Sequence, residues 1–256
     1  MSDMGKVCVV FGAGSYYDEI PVIPQGALVV AADGGYDHAL SLGVTPDVAI
    51  GDFDSISGMP DSRPDGGMSG GGRVRTIALP AQKDETDMPQ AVKVGWNQGI
   101  RVFHIFGGLG GRLDHALANL QMLADIARHG GIGFLHGDGS VATAVTDGEI
   151  RFPANQVAAR RMVSVFAHSD KALGVTIRGL KYETDPVDWT NSHALGVSNE
   201  FLPGIPSSIS VREGTLIVTY PVEAPQPQWR SGVEQDASFG EIDDRRSELL
   251  SPLFHG

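Results

Sequence analysis

The chain holds a single cysteine, Cys8, set inside the apolar run Val7 to Phe11. One thiol excludes an internal disulfide and fits a reducing compartment; within such a run it is expected to be buried and inert. Positive charge is also scarce. Against 31 Asp and Glu stand 19 Lys and Arg, a formal net charge of −12, and so acidic a surface repels nucleic acid and anionic membranes, so neither is expected as a partner. No run approaches the ~20 apolar residues that cross a bilayer. Met1–Lys6 carries no signal-peptide pattern, so a cytoplasmic location is expected. The familiar phosphate loops are missing too. Gly12-Ala13-Gly14 begins a dinucleotide fingerprint, but Tyr17 stands where its third glycine belongs, and no GxxxxGKS or GxxxxGKT occurs. No Ser-His-Asp pattern, HExxH or paired CxxC is present, and the histidines lack metal-ligand spacing.

What the chain does have is organisation. The first half alternates β-branched runs with helical segments. Val7–Phe11, Ala27–Ala32, Val48–Ile50, Arg75–Leu79, Val102–Phe106 and Ile132–Leu135 read as strands buried on both faces. Gly35–Leu42, Met88–Gln98 and Leu113–His129 read as helices between them, the last with Leu113, Leu117, Leu120, Leu123 and Ile126 as one apolar stripe stopped by Gly130-Gly131. That alternation predicts an α/β domain with a mostly parallel sheet flanked by helices. Around Asp138 the pattern changes to short strands separated by turns: Val141–Val145, Glu149–Phe152, Met162–Ala167, Leu173–Arg178, Ser208–Val211 and Leu216–Tyr220. These predict an all-β sandwich. The expected division is 1–140, 141–222 and a proline-containing, charged tail over 223–256, with 57–73 a surface excursion.

The polar clusters fall at the carboxyl ends of the predicted strands, where open parallel sheets bind ligands. Asp33-Gly34-Gly35, Gly51-Asp52-Phe53-Asp54, Lys83-Asp84-Glu85-Thr86-Asp87 and Gly107 through His115 follow four strands in turn. Two residues apart on an extended segment, Asp52 and Asp54 share one face. With Asp84 and Asp87, one helical turn apart, they offer oxygens to a hard cation such as magnesium, which completes its shell with water and phosphate. Singly, each aspartate also reads as a turn residue or a helix N-cap. Gly107–Gly111 leads into a helix N-terminus suited to phosphate, and Arg112 adds a fork of donors; the glycines alone would equally serve tight turns. His115 lies within reach of a ligand held there.

Taken in order, these blocks resemble those of the thiamine pyrophosphokinases, as do Gly179-Leu180-Lys181-Tyr182 and Gly196-Val197-Ser198-Asn199-Glu200-Phe201 in the second half. The resemblance spans residues 5–220. It implies a magnesium-dependent ATP:thiamine diphosphotransferase, a homodimer with thiamine bound at the subunit interface, and ATP as co-substrate. It implies Asp54, Asp84 and Asp87 as metal ligands, and Asp52, Asp54, Arg112 and Asp114 as catalytic residues. Asp33, Gly34, Gly35, Lys83, Gly108, Gly110, Gly111, Arg112 and His115 would bind ATP. Ser198 and Asn199 would bind thiamine; the late tryptophan of some relatives is replaced here by Val218 and Tyr220, with Trp189 as a substitute stacking ring. Two other readings stand beside it: a metal-dependent phosphohydrolase using the same aspartates on water, and a non-catalytic nucleotide-sensing or carbohydrate-binding protein in which the sandwich does the work, which leaves the four carboxylates unexplained.

Overall fold

The computed structural model describes residues 6–17, 20–54, 56, 62–63 and 74–247. Packing divides the chain into two compact units, 1–15 with 20–108 and 237–256, and 16–19 with 109–236. The first contains β1 (Val7–Phe11), β2 (Leu28–Ala32), α1 (Gly35–Ser41), β3 (Val48–Gly51), β4 (Ser62–Arg63), β5 (Val74–Ala78), α2 (Asp87–Trp96) and β6 (Val102–Phe106). Its strands run in the order β4-β5-β3-β2-β1-β6, every pairing parallel. β1, β2 and β3 are buried at nearly every position because both of their faces are covered, which is why they read as continuous apolar runs. Most of the expected 57–73 excursion lies outside the described residues.

Helix α2 packs tightly on this sheet. A Cβ on Gly95 would stand 3.0 Å from the Cys8 sulfur and 2.8 Å from the Phe103 ring, so at Gly95 the helix backbone lies directly against those two side chains. Cys8 is fully buried, and burial together with the nearby Asp47 charge pushes its thiol far up, away from the reactive thiolate. On β6, burial pulls His104 down to about 4 from 6.5. The native chain therefore binds fewer protons than the unfolded chain between those values, and stability is expected to fall as pH drops from 6.5 toward 4. Urea midpoints across that range should decline, and the decline should flatten in His104→Gln; an equal slope in both would place the effect elsewhere.

The second unit contains α3 (Leu113–Arg128), β7 (Ile132–Gly137), β8 (Ser140–Thr146), β9 (Glu149–Phe152), β10 (Met162–Ala167), β11 (Lys171–Arg178), β12 (Thr184–Thr190), β13 (Gly196–Glu200), β14 (Ser207–Ser210), β15 (Thr215–Pro221) and β16 (Gln228–Arg230). They form two antiparallel sheets, β7-β8-β15-β10-β13 and β12-β11-β14-β9-β16. The sheets share an aromatic core in which Phe152 meets Tyr220 edge-on at 4.9 Å and Phe201 at 5.0 Å. Helix α3 packs on β7, β8 and β15. Its apolar stripe is corrected by the structure: burial begins at Asn119, and Leu113 and Leu117 stay 73% and 55% exposed.

Four strands escape the hydrophobic pattern, namely β4, β12, β13 and β16, and each is a sheet edge. An edge strand needs burial on fewer sides, so polar sequence such as Thr-Asp-Pro-Val-Asp in β12 is tolerated there, Pro186 included. The segment after 223, expected to be a loose tail, is built into the fold over the described residues 224–247. Ala224 and Phe239 are buried, β16 pairs with β9, and the Asp236 N–H donates to the His129 carbonyl. No helix among the described residues is long and apolar enough to cross a membrane.

Candidate active site

Neighbouring parallel strands end side by side, so the residues just past β2 and β3 meet. Gly51 makes the approach possible: a Cβ there would stand 3.1 Å from the Asp33 Cα, and its φ of +152° is one that other residues seldom adopt. The Asp33 N–H donates to the Ile50 carbonyl at 2.8 Å, which locks the two strand ends together. Asp33 itself and Phe53 both sit in the left-handed region, at φ 48° and 59°, conformations that cost energy and cluster at functional positions. The result is a group of three carboxylates. Asp33, Asp52 and Asp54 each bring an oxygen to within 4.8 Å of the others, the only such group of metal-capable side chains among the described residues.

The route to this cluster differs from the one expected. Residues 52–54 are not extended; the Asp54 N–H turns back onto Asp52 Oδ1 at 3.3 Å, and the positive φ of Phe53 brings the carboxylates round. Membership differs as well. Asp33, expected to contact nucleotide, is part of the carboxylate group. Asp87, in the first turn of α2, lies beside it: burial raises its carboxyl pKa most, the Lys83 ammonium opposes, and the charges of Asp33 and Asp52 raise it further. The Lys83 side chain is only 6% exposed and pairs with Asp87 at 3.1 Å, so it acts as an internal counter-charge. Asp84 is exposed and stands apart from the group, accepting a hydrogen bond from the Ser247 hydroxyl. Asp47, beside the Gly51 block in sequence, accepts from the Val29 N–H at 2.8 Å and ties β2 instead.

Hard oxygen donors in this density suit a divalent cation. Three carboxylates and a fourth nearby, offset by one lysine, repel one another unless a cation or protons intervene. The elevated pKa of Asp87 records that repulsion together with its burial.

Gly34 and Gly35 open α1, and Gly108 follows β6. In the second unit, Gly110 and Gly111 take positive φ ahead of α3. Arg112 grips Asp114 through two bonds, Nε to Oδ1 at 3.2 Å and Nη2 to Oδ2 at 2.6 Å, and Asp114 also accepts the His115 N–H at 3.0 Å. Those bonds hold the Asp114 carboxyl down to about 2, which leaves it ionised and weakly basic. His115 is exposed.

On the edge strand β13, Ser198 takes φ 63° where the pairing with β10 slips register, and its N–H donates to Ser164 Oγ at 3.2 Å. Its side chain is exposed. Asn199 is buried and spends its amide on the backbone: Oδ1 accepts from the Tyr182 and Glu200 N–H groups, and Nδ2 donates to the Tyr182 carbonyl at 2.7 Å. It thus couples the Gly179–Tyr182 and Gly196–Phe201 blocks. Val218, Tyr220 and Trp189 are all buried, whereas Tyr182 is 61% exposed with Lys181 Nζ 5.6 Å from its ring centre. No sequence signal separated Tyr182 from the buried rings.

Comparison with known proteins places these features. The family model described as "Thiamin pyrophosphokinase, catalytic domain" matches residues 22–132, and "Thiamin pyrophosphokinase, vitamin B1 binding domain" matches 149–216. A thiamine pyrophosphokinase of Bacillus subtilis is 27% identical over 195 residues, covering 76% of this chain and 87% of its own. Thiamin pyrophosphokinase 1 of Caenorhabditis elegans is 25% identical over 182 residues, 67% of this chain and 70% of its own. The crystal structure of a thiamin pyrophosphokinase from Geobacillus thermodenitrificans superposes with a TM-score of 0.67 at 25% identity, over 84% of this chain and 97% of its own. The Bacillus subtilis crystal structure gives a TM-score of 0.70 at 24% identity, over 84% and 99%. With both models matched in order, over more than half of its length, and the first of them containing the aspartate cluster, the chain belongs to the thiamin pyrophosphokinase family, transferases that make thiamine diphosphate.

Proposed function

We propose that this protein transfers the diphosphate of ATP to the hydroxyl of thiamine, releasing AMP, and that magnesium supports the reaction at Asp33, Asp52, Asp54 and Asp87. The observation that carries the reading is the carboxylate group itself, three oxygens within 4.8 Å at the ends of adjacent parallel strands. Magnesium accepts such partial carboxylate sets. Bound there, it would supply charge neutralisation to the phosphate oxygens. Asp84, exposed and held by Ser247, would contribute from the loop rather than from the cluster.

The chain's own residues do the remaining work. Phosphoryl chemistry depends mainly on positioning and charge stabilisation. The thiamine hydroxyl oxygen forms a bond to the β-phosphorus, the bond from that phosphorus to the oxygen bridging the α-phosphorus breaks, and its electron pair leaves with AMP. The hydroxyl proton passes to water; Asp114 is a poor acceptor because the Arg112 fork holds it at about 2. In this reading the glycines at 34, 35 and 108 contact ATP, and Lys83 orients Asp87. Ser198 contacts thiamine directly. Asn199 shapes the same strand through Tyr182, whose exposed ring supplies a stacking surface.

Residues 1–140 would then carry ATP and cation, and 141–222 thiamine, in a cytoplasmic homodimer with thiamine at the subunit boundary. One incubation with ATP, magnesium and thiamine tests the chemistry. AMP is expected, and only when thiamine is present. ADP would contradict transfer of two phosphates as a unit, and phosphate released without thiamine would favour the phosphohydrolase reading.

A further inference from the structure

We propose that residues 237–247 form a strap that positions the loop carrying Asp84 and Asp87, with Ser247 as its positioning residue. This inference rests on the reading of the aspartates as a cation site. The strap lies beyond both matched family regions, which end at residue 216.

The loop between β5 and α2 is held locally by Lys83, which donates to the Pro80 carbonyl at 3.3 Å and pairs with Asp87 at 3.1 Å. The N-cap of α2, Thr86, makes no side-chain capping bond, so the junction lacks the usual anchor of a helix start. The strap supplies anchors instead. The Ser247 N–H donates to the Gln82 carbonyl at 2.7 Å, and its hydroxyl donates to Asp84 Oδ1. Two bonds from one residue thus fix the start of the loop. The loop's far end is held through α2. The Asp243 N–H donates to Gln90 Oε1 at 2.9 Å, Gln90 Nε2 donates to Glu85 Oε2 at 2.7 Å, and Lys93 Nζ donates to the same oxygen at 2.6 Å.

The burial of α2 follows from the same contacts. Met88, Ala91, Val92 and Gly95 share one side of the helix, while Gln90 and Lys93 project from the opposite side, yet Gln90 and Lys93 are 0% and 6% exposed. The strap accounts for that burial: Phe239 packs on Trp96 with ring centres 5.0 Å apart, and Gly240 comes so near Lys93 that an added Cβ would stand 3.4 Å from its Cε. Buried polar side chains need complete hydrogen bonding. The strap completes Gln90, Gln90 and Lys93 complete Glu85, and the loop is left in one arrangement. A loop already ordered loses less entropy when its carboxylates engage a cation.

The test uses the full chain with Mn²⁺ as the probe, read by the EPR signal of the free ion, and amide exchange of the 82–87 peptide. Ser247→Ala is expected to weaken Mn²⁺ binding about five-fold and to speed exchange at 82–87, while Ser247→Thr restores both. The KM for magnesium-ATP should rise with kcat at saturation unchanged, a split that general loss of stability would not produce. Phe239→Ala should speed the same exchange from the other end of the strap. Unchanged Mn²⁺ affinity in Ser247→Ala overturns the inference, whether or not exchange quickens. Asp54→Asn separates the two levels. If it binds Mn²⁺ as the native chain does, the cation-site reading itself fails; if it loses binding while Ser247→Ala does not, only the strap fails.

Discussion

Asp54→Asn is expected to lower turnover by about 10²- to 10³-fold while leaving the fold intact, the scale seen when one charge-stabilising group is taken from a reacting centre. The two effects separate because Asp54 is the exposed member of the carboxylate group. Exposed substitutions away from packing features shift stability by no more than about 0.5 kcal/mol. Removing one negative charge from three crowded carboxylates even relieves repulsion in the cation-free chain. The decisive measurement pairs kcat with thermal midpoints taken with and without magnesium. The native chain should gain midpoint with the ion, since a ligand that binds only the folded state at about 100 times its Kd adds about 2.7 kcal/mol. Asp54→Asn should lose most of that gain. Near-native turnover would remove Asp54 from the site.

Gly35→Ala should cost about 3 kcal/mol of stability, which for a chain of this size is a fall of roughly 6–12 °C in midpoint. Two effects oppose here. Replacing glycine stiffens the unfolded chain and favours folding by about 0.4–1 kcal/mol where the conformation allows it. At Gly35 the added Cβ would lie 2.0 Å from the Phe11 carbonyl oxygen and 2.5 Å from its carbon. Those are backbone atoms of the central strand β1, which cannot swing aside as a side-chain tip can. The clash wins, and α1 must lift from the sheet. Gly34→Ala is the control, since its Cβ would meet only Ala13, at 3.2 Å from its Cβ and 3.8 Å from its Cα. Equal midpoints for the two variants would mean that Gly35 is there for ligand contact alone.

Much of the architecture was legible in the sequence because burial leaves a record in composition. β1, β6, β9 and β10 occupy the expected spans, since strands packed in a core select apolar residues at fixed spacing, whereas the exposed Leu113 and Leu117 mark the start of α3 without being buried by it. The blocks at the strand ends were legible for the same reason: once the strands are placed, so are the loops that follow. Ser198 and Asn199 could be named from their block, but not told apart. One is exposed at a register slip and the other is spent on Tyr182.

By itself, then, the sequence determined the central strands, the helices, the order of the polar blocks and the family they resemble. These depend on neighbours a few residues away, whose spacing is written into the chain. Only the tertiary structure decided which aspartates meet. Asp33 joins Asp52 and Asp54 because β2 and β3 are adjacent and because two left-handed residues turn their ends toward each other. Asp84 faces Ser247 across a sequence separation of 163 residues. Such pairings depend on strand order and loop closure, and no local pattern encodes contacts between segments that far apart.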